Sequence, residues 1–128
     1  MLTLPSSVRI FFATAPVDMR KSIDGLAGLV TEILDADPFS GFLFVFRGRK
    51  GDRIKILLWD RNGFLLMYKR LEKNRFRFPK ATSTRIELGS TQLALLLDGL
   101  DVDLADRAPR WQPARLPLRV TAANAQGT

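Results

Sequence analysis

Neither cysteine nor histidine occurs among the 128 residues, and the two absences remove most of the chemistry that a small protein can carry. Without thiols there are no disulfides and no thiolate metal ligands. Without imidazole there is no zinc site of the usual kind, no common general base near neutral pH, and no serine or cysteine mechanism that works through histidine. A metal would have to be held by carboxylates and backbone oxygens alone. Long hydrophobic runs are also missing: no apolar stretch approaches the roughly 18–20 residues of a membrane span, and the opening MLTLPSSVRI lacks the regions of a secretion signal. The expectation is a cytoplasmic protein of bacterial type with no cofactor and no membrane partner.

The remaining catalytic candidates are acidic, headed by Asp18, Asp24, Asp52 and Asp60. A two-metal site needs several carboxylates converging on ions about 3.5–4 Å apart. Here Asp18 and Asp24 lie six positions apart at the start of an expected helix, and Asp52 and Asp60 fall in turns at opposite ends of one expected strand. Capping and turn roles account for all four. The reading is therefore a protein that is not an enzyme.

What the chain does have is positive charge, and its placement is uneven. Net charge is +7, yet residues 41–80 hold twelve basic and three acidic side chains, while residues 1–40 hold three and five and residues 81–128 hold five of each. Such a concentration is the footprint expected for phosphates or an acidic partner, beside the plainer possibility that the charges solvate strand edges and turns.

The same segment carries the clearest structural pattern. In GFLFVFRGRKGDRIKILLWDRNGFLLMYKRLEKNRFRFP, from Gly41 to Pro79, three runs rich in aromatic and branched residues (42–46, 53–60 and 64–72) are separated by glycine-bearing turns. Consecutive antiparallel strands read this way. Asn62-Gly63 is a strong hairpin signal, because a two-residue type I′ turn needs positive φ at both central positions. Centring the turn there sets Trp59 opposite Leu66, Leu57 opposite Tyr68, Lys55 opposite Arg70 and Arg53 opposite Glu72 on one mixed face. Ile54, Ile56 and Leu58 pair with Leu71, Lys69 and Met67 on an aliphatic face that should lie on the core. The mixed face is either half covered or a contact surface. Lys69, a misfit on the aliphatic side, is expected near a sheet edge.

Elsewhere, Ser7 to Thr14 reads as a first strand. A stripe of Met19, Ile23, Leu26, Val30, Ile33 and Leu34 predicts a helix over 19–34 with Asp18 as N-cap. Its glycines, Gly25 and Gly28, suggest close approach to the sheet, and the carboxylates at its end call for a nearby cation. Arg75 to Phe78 alternates as a short strand with its rings inward. Thr84 to Leu88 suggests an edge strand, and Ser90 caps a short helix over 91–98 with Gly99 as its C′ residue. The fold class is thus α+β: an antiparallel meander sheet of four to six strands, one main helix packed on one face and a short second helix, all in one domain over residues 1–105. Residues 106–128, with three prolines and no periodicity, read as an extended or disordered tail in which Trp111 sits amid arginines.

The run from Asp37 to Pro79, with VDMRKSIDGLAGLV before it, resembles the accessory protein encoded by the second open reading frame of insertion sequences of the IS-sixty-six type, often called TnpB. The resemblance covers about residues 1–100. It implies a small protein that assists transposition beside a separate transposase carrying the catalytic acidic residues. The chain is far too short, and lacks the cysteines, to be the RNA-guided nuclease that shares the name.

Joined to the charge pattern, the resemblance makes the expected partners DNA, at the element ends, and the transposase. The residues expected to serve DNA or partner binding are Arg47, Arg49, Lys50 and Arg53 of the loop between the first two meander strands, and Lys55, Trp59, Arg61, Tyr68 and Arg70 of the mixed face. The loop is not a phosphate-binding Walker loop, since the G-x-x-x-x-G-K-[ST] spacing is absent. A protein adaptor that makes no direct DNA contact is the alternative.

Overall fold

The computed structural model describes residues 7–107. Its elements are β1 (Ile10–Ala13), α1 (Ile23–Glu32), β2 (Leu43–Arg47), β3 (Arg53–Asp60), β4 (Gly63–Arg70), β5 (Arg85–Leu88), α2 (Ser90–Leu97) and α3 (Leu104–Arg107). They form one five-stranded sheet in the order β4-β3-β2-β1-β5. The α+β class and the β2-β3-β4 meander stand as expected, with one change: β1 runs parallel to β2. A parallel pair requires a crossover of a dozen or more residues, and the connection through α1 supplies it. β5 then adds antiparallel to β1 as the edge strand.

Helices cover both faces of the sheet. Leu26, Val30 and Leu34 of α1 pack on Phe11, Phe44, Phe46 and Leu57, the side expected to be half open. Full burial of such a side chain contributes roughly 1.5–3 kcal/mol, so this stripe fixes α1 firmly. On the other side Ile10, Phe12, Val45, Ile54 and Ile56 form the second core with α2 residues Leu93 and Leu96, and with Phe76 and Val102.

The helix signals need correction at their starts. Asp18 does not cap α1; its carboxylate accepts the Arg20 backbone N–H and pairs with the Arg20 guanidinium, making a turn ahead of the helix, whose N-cap is Ser22. A short polar side chain can serve a turn as readily as a cap, and here it does. α2 likewise begins one residue early, with Gly89 as N-cap and Gln92 accepting the Gly89 N–H through its side chain. Gly99 takes φ +76° after the C-cap Asp98, as its position predicts. The α1 glycines are not contact points with the sheet: a methyl at Gly28 would meet nothing within 4 Å, and one at Gly25 would meet only Lys21.

The β3-β4 hairpin forms, but its register differs by two residues. Trp59 faces Phe64, Leu57 faces Leu66, Lys55 faces Tyr68 and Arg53 faces Arg70. The two loop residues are Arg61 and Asn62, with Arg61 at φ +53° and Gly63 already paired with Asp60. A left-handed residue other than glycine costs roughly 1–2 kcal/mol, so packing overrides the local turn signal. The observed register brings the Trp59 and Phe64 rings to 5.0 Å and the Lys55 ammonium to 5.0 Å from the Tyr68 ring. Because side chains alternate with a period of two, a two-residue shift leaves each residue on its expected face.

Arg75 to Phe78 is not a strand. Phe76 is nevertheless buried and Phe78 packs on the same core, its ring stacked on Phe12 and tilted against Phe76. Asp106 and Arg107, expected to open the tail, belong to α3; the rest of the expected tail, including Trp111, lies outside the described residues.

Candidate nucleic-acid interface

The antiparallel return of β3 and β4 places the start of β3 beside the end of β4, and this pairing builds a cationic end on the sheet. The β2-β3 loop turns through a Gly48–Gly51 hydrogen bond and closes with the Gly48 N–H on the Arg53 carbonyl. Arg49 and Lys50 stand exposed at its tip. The chain leaving β4 folds back over this loop: Leu71 donates to the Asp52 carbonyl, Phe76 donates to the Gly51 carbonyl, and the Arg75 side chain lies over Gly51. Lys73 and Arg75 therefore join Arg49, Lys50, Arg53 and Arg70.

The approach to α1 reaches the same end. Val17 donates to the Arg47 carbonyl and bridges to Gly48, and the Met19 side chain lies so close to Gly48 that a β-carbon there would sit 2.7 Å from its Cγ. Glycine is what lets the two segments touch. This contact carries Arg20 and Lys21, both exposed, to the loop.

Four carboxylates share this end. Asp18 is tied to Arg20 at 2.7 Å and Glu72 to Arg70 at 2.9 Å. Hydrogen bonds from the Arg20 side chain and backbone hold the Asp18 carboxyl well below the usual carboxylate range, and Glu72 raises the pKa of Arg70, first through its hydrogen bond. Asp52 lies 3.9 Å from the Arg53 guanidinium, where the facing Asp52 Oδ1 and Arg53 Nε make no hydrogen bond. Asp24 lies in the first turn of α1, where a negative charge favours the helix dipole.

The nine residues expected from sequence divide three ways. Arg49, Lys50, Arg53 and Arg70 come together as described. Arg47 and Lys55 lie nearby but are occupied. The Arg47 guanidinium donates to the Thr14 carbonyl at 3.0 Å and covers the Phe78 ring. Lys55 is only 7% exposed, and its ammonium donates to the Met19 and Lys21 carbonyls, each at 2.7 Å. Tyr68, half exposed, covers Lys55 from the next strand. Trp59 and Arg61 sit at the opposite end: six residues of β3 separate Arg53 from Trp59, about 20 Å at the usual strand rise.

Sequence reasoning missed Arg20, Lys21, Lys73 and Arg75. The last two belong to the basic segment and were legible in its composition. The first two arrive through the Val17–Gly48 contact, which has no local sequence signature. Among the described residues no group of three or more acidic side chains could hold a metal ion, and no helix is long and apolar enough to cross a membrane.

Comparison with known proteins supplies the remaining constraint. Residues 8–107 match the family model described as IS66 Orf2 like protein. Two relatives from Sinorhizobium fredii (strain NBRC 101917 / NGR234) are similar along nearly their whole lengths. Uncharacterized protein y4jC is 38% identical over 109 residues, covering 85% of this chain and 93% of the relative. Uncharacterized protein y4hO is 39% identical over 118 residues, covering 91% and 99%. No solved structure matches.

Proposed function

This chain belongs to the IS66 Orf2-like family, and on that premise we propose that it assists DNA transposition as a non-catalytic accessory protein, holding DNA at its cationic end. The observation that carries this reading is the convergence of three separate segments, the approach to α1, the β2-β3 loop and the chain after β4, on one surface with an excess of exposed cations. Guanidinium and ammonium groups held this way pair with phosphates and carry little sequence information. Neither α1 nor α2 contains a lysine or arginine, unlike a helix that reads the major groove, so positioning of duplex rather than base readout is the role assigned. The separate transposase then performs the chemistry.

The experiment is a salt titration of binding to duplex carrying the element ends. Arg49→Ala, Lys50→Ala and Lys73→Ala together should weaken binding and flatten the log–log salt dependence, each lost phosphate contact reducing the slope by about 0.9. An unchanged slope with intact folding would remove this end from the DNA interface.

A second reading, an adaptor that touches the transposase and not DNA, is favoured by one observation: the partly exposed rings of Phe39, Trp59 and Phe64 cluster at the other end of the sheet. Its mark would be loss of transposase binding on Trp59→Ala without a comparable loss in the triple lysine and arginine variant.

A further inference from the structure

Phe39 is the most exposed large apolar side chain among the described residues, at 58%. It is nonetheless held in place. Its N–H donates to the Asp37 carboxylate at 2.9 Å, and the Ser40 N–H donates to the Asp37 carbonyl at 3.1 Å. The ring closes a triangle with Trp59 at 5.1 Å and Phe64 at 5.3 Å, with Trp59 and Phe64 5.0 Å apart. A preformed group of aromatic side chains is what interface centres use, because little entropy is lost on binding.

The charge around the triangle is opposite to that of the DNA-facing end. Asp37, whose carboxylate holds the Phe39 N–H, and Asp60, next to Trp59, adjoin it, Glu32 and Asp35 precede it in the chain, and residues 29–41 contain no lysine or arginine. The cation next to it in the chain, Arg61, is exposed and lies 3.6 Å from Asp60, while Arg85 donates to the Leu34 carbonyl at 2.8 Å and Arg9 pairs with Glu87 at 2.7 Å. Such a face repels phosphate and suits an apolar polypeptide carrying arginine, which can pair with the rim and lie over the rings.

We propose that residues 108–128 of the same chain bind this face. The segment, APRWQPARLPLRVTAANAQGT, has Arg110, Arg115 and Arg119 and no acidic residue, with Trp111, Leu116 and Leu118 between them. Charge and apolar character both complement the triangle and its rim. A chain of this length can span roughly 70 Å when extended, well beyond the dimensions of a domain of about 100 residues, so the face is within reach from Arg107. Three prolines restrict the free segment and lower the entropy lost on binding. Tethering supplies an effective concentration on the order of millimolar, which keeps a weak contact closed. A protein partner for Trp59 then has to displace this segment. The contact is independent of DNA binding at the other end.

The sequence makes the test direct, because Trp59 and Trp111 are the only tryptophans. In the full chain with Trp111→Phe, Trp59 is the sole reporter, and acrylamide, being neutral, probes its exposure without bias from the acidic rim. Adding Arg110→Ser, Arg115→Ser and Arg119→Ser should raise the quenching constant roughly twofold, as opening of a largely closed contact requires. Asp37→Asn with Asp60→Asn should do the same from the other side. High salt should reproduce the effect in the Trp111→Phe protein without further substitution. Equal quenching in all these proteins at low and high salt overturns the proposal. So does quenching that rises on dilution, which would place the segment of a second copy on the face.

Discussion

Replacing Lys55 by methionine separates a structural cation from a DNA-binding one. The ammonium of Lys55 is buried and donates to two carbonyls, Met19 and Lys21, that precede α1. Each hydrogen bond from a charged donor contributes roughly 1.5–3 kcal/mol, and each orphaned carbonyl adds a desolvation cost. Against this, methionine recovers apolar contact and spares the cost of burying the charge. A net loss of about 2–3 kcal/mol results, which for a domain of this size lowers Tm by roughly 10–20 °C. The α1 approach should loosen from Gly48, visible as faster amide exchange at Val17. Below the new Tm, where the protein is folded, the salt slope for DNA binding should match that of the parent, since the ammonium faces the protein. The reasoning fails if Lys55→Met leaves Tm unchanged and reduces the slope, for that would make Lys55 a phosphate ligand.

Other expected outcomes follow from single contacts. Gly28→Ala should stabilise the domain by about 0.5–1 kcal/mol, because the methyl meets nothing and alanine is the better helix former; a lower melting temperature would mean that the position has an unseen close neighbour. Gly48→Ala should cost about 1–3 kcal/mol in thermal unfolding, since the new β-carbon would sit 2.7 Å from the Met19 Cγ and forces that side chain aside; an unchanged melt would deny the close approach. The Glu87 carboxyl is held below its ordinary value first by hydrogen bonds from Arg9, with Arg9 and Arg85 charges adding to it against desolvation. A folded-state pKa below the unfolded one gives stability that is present above the unfolded pKa and lost as pH falls through the folded one. Arg9→Ala should therefore move the Glu87 midpoint upward in an NMR titration, and a stationary midpoint would refute the pairing.

How far the chain was legible depended on the range of the interactions. Periodicity and turn chemistry are local, so the three meander strands, the edge strand at Arg85–Leu88, α1 and α2 could all be read from residues a few positions apart. Two misfits even pointed to their solutions. Lys69, expected at an edge, lies on edge strand β4 and donates to the Leu97 carbonyl at the end of α2 at 2.6 Å. The acidic end of α1 does find a cation, Arg85 on the Leu34 carbonyl, and each such contact favours the helix dipole. The parallel β1-β2 pair was not legible, because its evidence is a tertiary crossover rather than a local pattern. The two-residue error in the hairpin has the same origin: Asn62-Gly63 was a local signal, and the Trp59–Phe64 packing that outweighed it spans the strands.

The candidate site shows why a list of basic and aromatic residues is a weaker guide than their positions on a strand. Lys55 and Trp59 share a face with Arg53, since all three are odd-numbered residues of one strand. Sharing a face says nothing about height along it. Arg53 lies where β4 ends and the chain folds back with its cations, whereas Trp59 lies where β2 begins and α1 has just ended among carboxylates. The net charge of +7 thus conceals the separation of a cationic end from one where acidic residues gather. A surface that binds phosphate by counterion release and one that binds arginine-bearing polypeptide have opposite electrostatic requirements. Two such surfaces at the two ends of an eight-residue strand would let one small domain meet both requirements without either field cancelling the other, because about 20 Å of strand exceeds the Debye length of about 8 Å at physiological salt.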